Sequence, residues 1–265
     1  MKKKYEWQPD NYAKNSSLQY QYAMEAIPKL NLKGNESILD IGCGDGKISV
    51  KLKTLLPHGE VVGIDSSCEM IQFANKTYLE SDNQGISFHT MDATQISFDR
   101  GFDIVFSNSA LHWVKDQLSV LKCVNKCLKK NGRIFFQMTG KGSMENIIHA
   151  FIHLLEDKKW QPYFTEIQFS GGFFTEDQYR NWLKETEFHP VRVELVKKEI
   201  IFSGKTELEG HILAAWHPIT ERVPEIDRNA FVSDLVDRYL KIVPVNGDGF
   251  PTVEVVRLEV EAVKP

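Results

Sequence analysis

The stretch Asp40-Ile41-Gly42-Cys43-Gly44-Asp45-Gly46 constrains this chain more than any other. It follows the apolar run Ser37-Ile38-Leu39 and precedes a segment in which Ile48, Leu52, Leu55 and Leu56 share a helical face. A strand that passes through three alternating glycines into a helix puts bare backbone at the strand's carboxyl end, where open α/β sheets receive ligands. Such a turn can also serve tight packing alone. Here acidic Asp40 precedes the glycines and Asp45 stands among them, which favours a ligand.

The first half of the chain repeats this grammar. Strands are expected at Ser37-Ile41, Val61-Asp65, Ile86-Met91, Phe102-Ser107 and Arg133-Met138, alternating with helical periods such as Leu118, Leu121, Val124 and Leu128. A helix from about Ser16 to Leu30 precedes them. The second half differs: Met144 to Leu155 reads as an apolar helix, and Thr175-Glu-Asp-Gln178 as a capping box. Val191-Phe202 reads as a long strand, 206–242 as a helical block, and Thr252-Val263 as a last strand. The expected fold is α/β, a doubly wound, mostly parallel, seven-stranded sheet with helical cap insertions. In this reading residues 1–33 form an N-terminal helical lid and 34–140 the ligand-binding core. Residues 141–265 add the remaining strands, with a cap at about 141–186 and 205–242 in the same domain.

The loop selects among ligands. A dinucleotide site wants GxGxxG, but the residue three beyond Gly44 is Lys47, and two aspartates oppose a pyrophosphate. A Walker loop fails on spacing and lacks GK[ST]. Two acids suit a ligand with a cationic end and free ribose hydroxyls, and S-adenosyl-L-methionine has an ammonium, a sulfonium and a ribose. Asp65 ends the second strand about 20 residues past the glycines, where a carboxylate can accept both ribose hydroxyls. It could equally cap the next helix, as could Ser66 or Ser67. Asp92, in Met91-Asp92-Ala93, could accept from an adenine amino group or simply shape a turn.

These residues resemble the class I, S-adenosylmethionine-dependent methyltransferases, with their Rossmann-like fold. The likeness runs from Ile38-Leu-Asp-Ile-Gly-Cys-Gly-Asp-Gly46 through Gly63-Ile-Asp65, His89-Thr-Met-Asp-Ala93, Phe102-Asp-Ile-Val-Phe-Ser107 and Leu128-Lys-Lys-Asn-Gly-Arg133. The resemblance implies that the glycine loop passes under the methionine portion, Asp65 holds the ribose, Met70 packs on adenine, and Asp92 with Ala93 reads its edge. The expected cofactor contacts are thus Asp40, Gly42, Cys43, Gly44, Asp65, Ser66, Met70, Asp92, Ala93, Asn108 and Gln19. Trp7-x-Pro9-x-x-Tyr12 with Ser16 and Gln19, and Asn108-Ser-Ala-Leu-His-Trp-Val-Lys115, look like the trans-aconitate and juvenile-hormone-acid enzymes, which methylate small-molecule carboxylates.

A carboxylate acceptor needs orienting groups and no base. His112, Trp113 and Tyr12 are the expected acceptor-side residues, with Trp216, His217, Arg222, Arg228, Arg180 and Trp182 as possible cap contributions. An amine, phenol or hydroxyl acceptor would need a general base, His112 or His217. A non-catalytic S-adenosylmethionine-binding protein and a dehydrogenase are the rival readings. Ser107-Asn-Ser-Ala110 matches neither [DNS]PP[YFW] nor a Pro-Cys nucleophile, and a net charge of -4 supplies no field for nucleic acid. The four cysteines form no disulfide framework or metal spacing, so no metal is expected. No apolar run approaches the roughly 20 residues of a membrane span. The basic start Met1-Lys-Lys-Lys leads into no signal core. The expectation is a cytoplasmic enzyme, monomer or homodimer, acting on a small molecule without nucleic-acid or membrane partners.

Overall fold

The computed structural model describes residues 17–78, 84–165 and 172–265. In chain order these hold α1 (Ser17–Ala26), a 3-10 turn (Ile27–Leu30), β1 (Ser37–Ile41), α2 (Lys47–Thr54), β2 (Glu60–Asp65), α3 (Cys68–Tyr78), β3 (Ile86–Thr90) and β4 (Phe102–Asn108). There follow α4 (Gln117–Cys127), β5 (Leu128–Thr139), α5 (Glu145–Leu154), α6 (Glu176–Glu185) and β6 (His189–Ile201). The last elements are α7 (Lys205–Ala215), α8 (His217–Thr220), α9 (Glu225–Ile242) and β7 (Thr252–Val263).

The seven strands form one sheet in the order β3-β2-β1-β4-β5-β7-β6. The pairs from β3 through β5 are parallel, and β7 runs antiparallel to β5. Strand order reverses between β1 and β4, the place at which open α/β sheets receive ligands beyond the strands' carboxyl ends. β1 is buried along its whole length because helices cover both faces. On one face Leu39, Val105 and Phe136 meet Val120, Leu121 and Val124 of α4 and Tyr179 and Leu183 of α6. On the other, Ile38, Phe106 and Phe135 meet Ala26, Leu30, Leu52, Ile71 and Ala74.

Two compact units divide the chain. One comprises Met1–Lys141, Ser170–Val196 and Arg257–Pro265, and the other Gly142–Phe169 and Lys197–Val256. The second is built on aromatic packing: the Phe151–Phe164, Trp160–Phe231 and Phe164–Phe231 ring centroids each lie 5.3 Å apart. Among the described residues no helix is long and apolar enough to cross a membrane.

Several boundaries differ from expectation for local reasons. The first helix tightens to 3-10 geometry at Ile27, because Pro28 has no N–H to donate, and the turn ends on Asn31 at φ 45°. β5 begins at Leu128 rather than Arg133. Asn131 takes φ 61°, and a register shift between Phe102 and Ile104 on β4 accommodates the residues ahead of Arg133 as an irregular strand start. The block from 206 to 242 divides into three helices, and Pro224 opens the last. The Thr175 capping box forms as expected: Thr175 N–H donates to Gln178 Oε1 at 2.9 Å, and Gln178 N–H to Thr175 Oγ1 at 3.3 Å.

Candidate active site

Gly42, Gly44 and Gly46 take φ values of 74°, 55° and 84°, the left-handed region. The amides of Gly42 and Cys43 donate to the Ile64 carbonyl of β2 at 2.8 and 3.0 Å, which draws the loop across the end of the sheet. A Cβ on Gly42 would stand 2.1 Å from the Ala110 Cβ, so backbone geometry and space both require glycine there.

Three carboxyl groups gather around this loop. Asp40 is buried and accepts a 2.6 Å hydrogen bond from the Ser49 hydroxyl of α2. Burial raises its pKa to about 7, against the Ser49 bond and with a push from the Asp65 charge. Asp65 Oδ2 accepts from the Gly44 amide at 3.0 Å and Oδ1 from the Ser67 amide at 2.9 Å. Burial raises the Asp65 pKa, opposed by these amides and that of Ser66. A carboxylate has about four lone-pair sites, so at least one remains for a ligand. Asp45 is raised by burial too, while its Oδ1 accepts from the Lys47 amide at 3.2 Å. Burial, followed by the Asp40 and Asp65 charges, pushes the Cys43 thiol well above its ordinary range, so it is protonated and no nucleophile. Among the described residues, no group of three or more His, Cys, Asp or Glu side chains is placed to hold a metal ion.

The neighbouring strand ends complete this side. Ser67, not Ser66, caps α3: its hydroxyl accepts from the Met70 amide at 3.2 Å, and Met70 is buried beneath. Ser66 is exposed. The Met91 amide donates to the Asp65 carbonyl at 2.9 Å, tying the end of β3 to β2. Asp92 is exposed and caps the 3-10 turn Ala93–Gln95, its Oδ1 accepting from the Thr94 amide at 2.8 Å and hydroxyl at 2.7 Å. The structure thus sets Asp40, the glycines, Asp65, Met70, Asp92 and Ala93 along one edge of the sheet. Asp40, Asp45 and Asp65, each with a pKa raised by burial, suit a ligand carrying ammonium and sulfonium charge, since a carboxylate in that state gains from a nearby cation.

At the end of β4, Asn108 Nδ2 donates to the Gln19 carbonyl at 3.0 Å, and Gln137 Nε2 donates to Asn108 Oδ1 at 2.8 Å. Beyond it, His112 and Trp113 lie on a 3-10 turn held by Gln117, whose Nε2 reaches the Leu111 and Val114 carbonyls at 2.8 and 2.6 Å. The His112 and Trp113 ring centroids are 5.0 Å apart, and Trp113 is 37% exposed. His112 Nδ1 is buried with no hydrogen-bond partner, and burial lowers the ring's pKa to about 4. The imidazole is therefore neutral near pH 7 and titrates far below the ordinary histidine range.

The other described residues singled out by sequence stand apart from this edge. Tyr12, Trp7, Pro9 and Ser16, and the His217 side chain, lie outside the described residues. Trp216 is buried against Phe151 in the core of the second unit. Trp182 packs on Phe174 and Tyr179, and Arg180 donates to the Val193 carbonyl at 2.8 Å. Arg228 donates to the Val223 carbonyl at 3.0 Å, and Arg222 is exposed. Packing accounts for Trp216 and Trp182, and backbone hydrogen bonds for Arg180 and Arg228.

Sequence reasoning missed Gln137, Tyr22 and Arg257. Arg257 lies on β7 in register with Thr139 of β5 and is only 4% exposed. Its Nη2 reaches Glu25 Oε2 at 2.9 Å, and its guanidinium lies 4.2 Å from the Tyr22 ring centroid. Arg257, Glu259 and Glu261 alternate with Leu258 and Val260, the pattern of a solvated strand face. The one available signal was that Arg257 continues the phase of Val253 and Val255.

A family model described as a methyltransferase domain matches residues 32–187, more than half of the chain. A juvenile hormone acid O-methyltransferase of Bombyx mori is 28% identical, covering 86% of this chain and 84% of that protein. A trans-aconitate 2-methyltransferase of Enterobacter sp. (strain 638) is 27% identical over 50% of this chain and 51% of its own. Among solved structures, phosphoethanolamine N-methyltransferase 2 of Haemonchus contortus, in complex with S-adenosyl-L-methionine, shares the fold. Its TM-score is 0.58 at 19% identity, covering 93% of this chain and 53% of that one. With its glycine loop and acidic cradle at the β1–β4 reversal, the chain belongs to the methyltransferase-domain family and is a class I, S-adenosylmethionine-dependent methyltransferase.

Proposed function

We propose that the methyl acceptor is the carboxylate of a small molecule and the product a methyl ester. The observation that carries this reading is the neutral His112, whose buried Nδ1 has no hydrogen-bond partner, beside exposed Trp113 just past the end of β4. An imidazole with a pKa of about 4 is a weak base at neutral pH but a serviceable hydrogen-bonding group. A carboxylate needs only the latter. The likeness to a juvenile hormone acid O-methyltransferase and a trans-aconitate 2-methyltransferase supports the same acceptor chemistry.

When bound, S-adenosylmethionine supplies an electrophilic methyl group on a sulfonium, so the protein's share is positioning and electrostatics. In this reading Asp65 accepts the ribose hydroxyls, Met70 packs against adenine, and Asp92 with Ala93 meets its edge. Gly42, Cys43 and Gly44 admit the methionine portion close to the backbone, and Asp40 braces the loop through Ser49. Asn108 and Gln19 flank the transfer position, and His112 and Trp113, with Tyr12, orient the acceptor.

Product chemistry tests the reading. With S-adenosylmethionine labelled in its methyl group and a panel of carboxylic acids, label in the product should be released as volatile methanol by mild alkali. Alkali-stable label would overturn the ester reading in favour of an amine or ether product. His112→Asn should lower kcat/KM by about tenfold, the worth of one hydrogen bond. A fall of 10²–10⁴ would instead indicate a lost general base.

A further inference from the structure

Arg257 carries more donors than the protein uses. A guanidinium has five N–H donors. Only Nη2 is bonded, to Glu25, while Nε and Nη1 are buried with no partner. Glu259 Oε1 is 3.9 Å away but belongs to other cations: its carboxylate meets Lys29 at 2.7 Å and Arg192 at 2.6 Å. Glu261 is likewise taken by Arg192. Buried donors left unpaired are costly, and unpaired charged donors more so.

Other unmet polar atoms lie in the same part of the fold. The hydroxyl of Tyr22, over whose ring the Arg257 guanidinium lies, is buried without a partner, as are Gln137 Oε1 and Gln19 Oε1. Burial, moderated by Arg257, pushes the Tyr22 phenol up to about 12, so it remains a donor. These groups are linked to Asn108: Gln137 bonds both Asn108 and the Tyr22 carbonyl, and Gln19 receives the other Asn108 bond. Two strand spacings, about 10 Å, separate β4 from β7. That is too far for Arg257 to hold the reacting oxygen against a methyl group over β1 and β4, and suited to a second group on the same molecule.

We infer that Arg257 and Tyr22 receive a second acidic group of the acceptor, which makes the substrate a di- or tricarboxylic acid rather than a lipid-like monoacid. The inference rests on the carboxylate reading above and narrows it. It also leaves the attacking carboxylate unneutralised, because the cation engages the distal one.

The test is calorimetry on enzyme saturated with S-adenosylhomocysteine, titrated with trans-aconitate, glutarate and the length-matched monoacid valerate. Trans-aconitate or glutarate should bind more tightly than valerate. Arg257→Gln should weaken the polyacids at least about thirtyfold and leave valerate unchanged. Tyr22→Phe, which removes one oxygen and tolerates any fragility of Arg257→Gln, should weaken them about three- to tenfold. Affinity for S-adenosylhomocysteine should be the same in all three proteins. Equal binding of valerate and the polyacids to wild type, or polyacid affinity unchanged in the variants, overturns the inference. Polyacid binding through Arg257 with alkali-stable product would instead overturn the ester reading alone.

Discussion

Replacing Gly42 with alanine perturbs the cofactor loop at its most constrained residue. Two costs apply. An L-residue at φ 74° sits in the left-handed region, at roughly 1–2 kcal/mol. The new Cβ, built 2.1 Å from the Ala110 Cβ, forces a shift of the kind that costs about 1–3 kcal/mol in a packed interior. Together they amount to about 2–5 kcal/mol. In a chain of this size each kcal/mol lowers the melting temperature by about 2–4 °C, so a fall of about 4–20 °C is expected. If the loop moves to relieve the clash, the Gly42 amide leaves the Ile64 carbonyl, now at 2.8 Å, and S-adenosylhomocysteine affinity drops. Thermal melts and calorimetry read both effects. Gly210→Ala is the control, since a Cβ there meets nothing within 4 Å and alanine suits α7; stability should hold or rise by up to about 1 kcal/mol. Adding Ala110→Gly to Gly42→Ala should restore the steric part only. A Gly42→Ala protein with wild-type melting temperature and cofactor affinity would refute the reasoning.

Asp65→Asn exchanges one acceptor oxygen for an amide NH₂ that faces the backbone donor of Gly44 or Ser67. S-adenosylhomocysteine affinity should fall about 10- to 100-fold by calorimetry, the worth of a hydrogen bond to a charged group, and unchanged affinity would remove Asp65 from the ribose site. Asp40 makes stability depend on pH in a defined direction. Its folded pKa of about 7 lies above the ordinary value of about 3.9, so the fold favours the protonated carboxyl. That contribution is complete below pH 4 and is lost as pH rises through 7. Asp40→Asn, which stays neutral, should therefore gain on wild type in melting temperature between pH 4 and 8; parallel curves would contradict the assignment.

Much of the architecture was readable because its causes are local. The β1 and β7 bounds, the Thr175 capping box and the glycine turn each follow from periodicity or side-chain chemistry within a few residues. Pro28 and Asn131-Gly132 show the limit of that reading. Proline reset the helix end within one turn, whereas strand pairing to β4 drew the residues ahead of Arg133 into β5.

For the proposed site, the chain's own order of residues placed the cofactor half: the glycines, Asp40, Asp65 and Asp92 all lie at or just past strand ends, and parallel strands bring their carboxyl ends to one edge. The features behind the proposed acceptor side were decided by tertiary structure. Burial, not residue type, made His112 neutral, and Arg257 became an enclosed cation with unused donors only because α1 covers a strand face that reads as solvated. Desolvation depends on what packs against a residue from distant parts of the chain, and one-dimensional spacing does not carry that information.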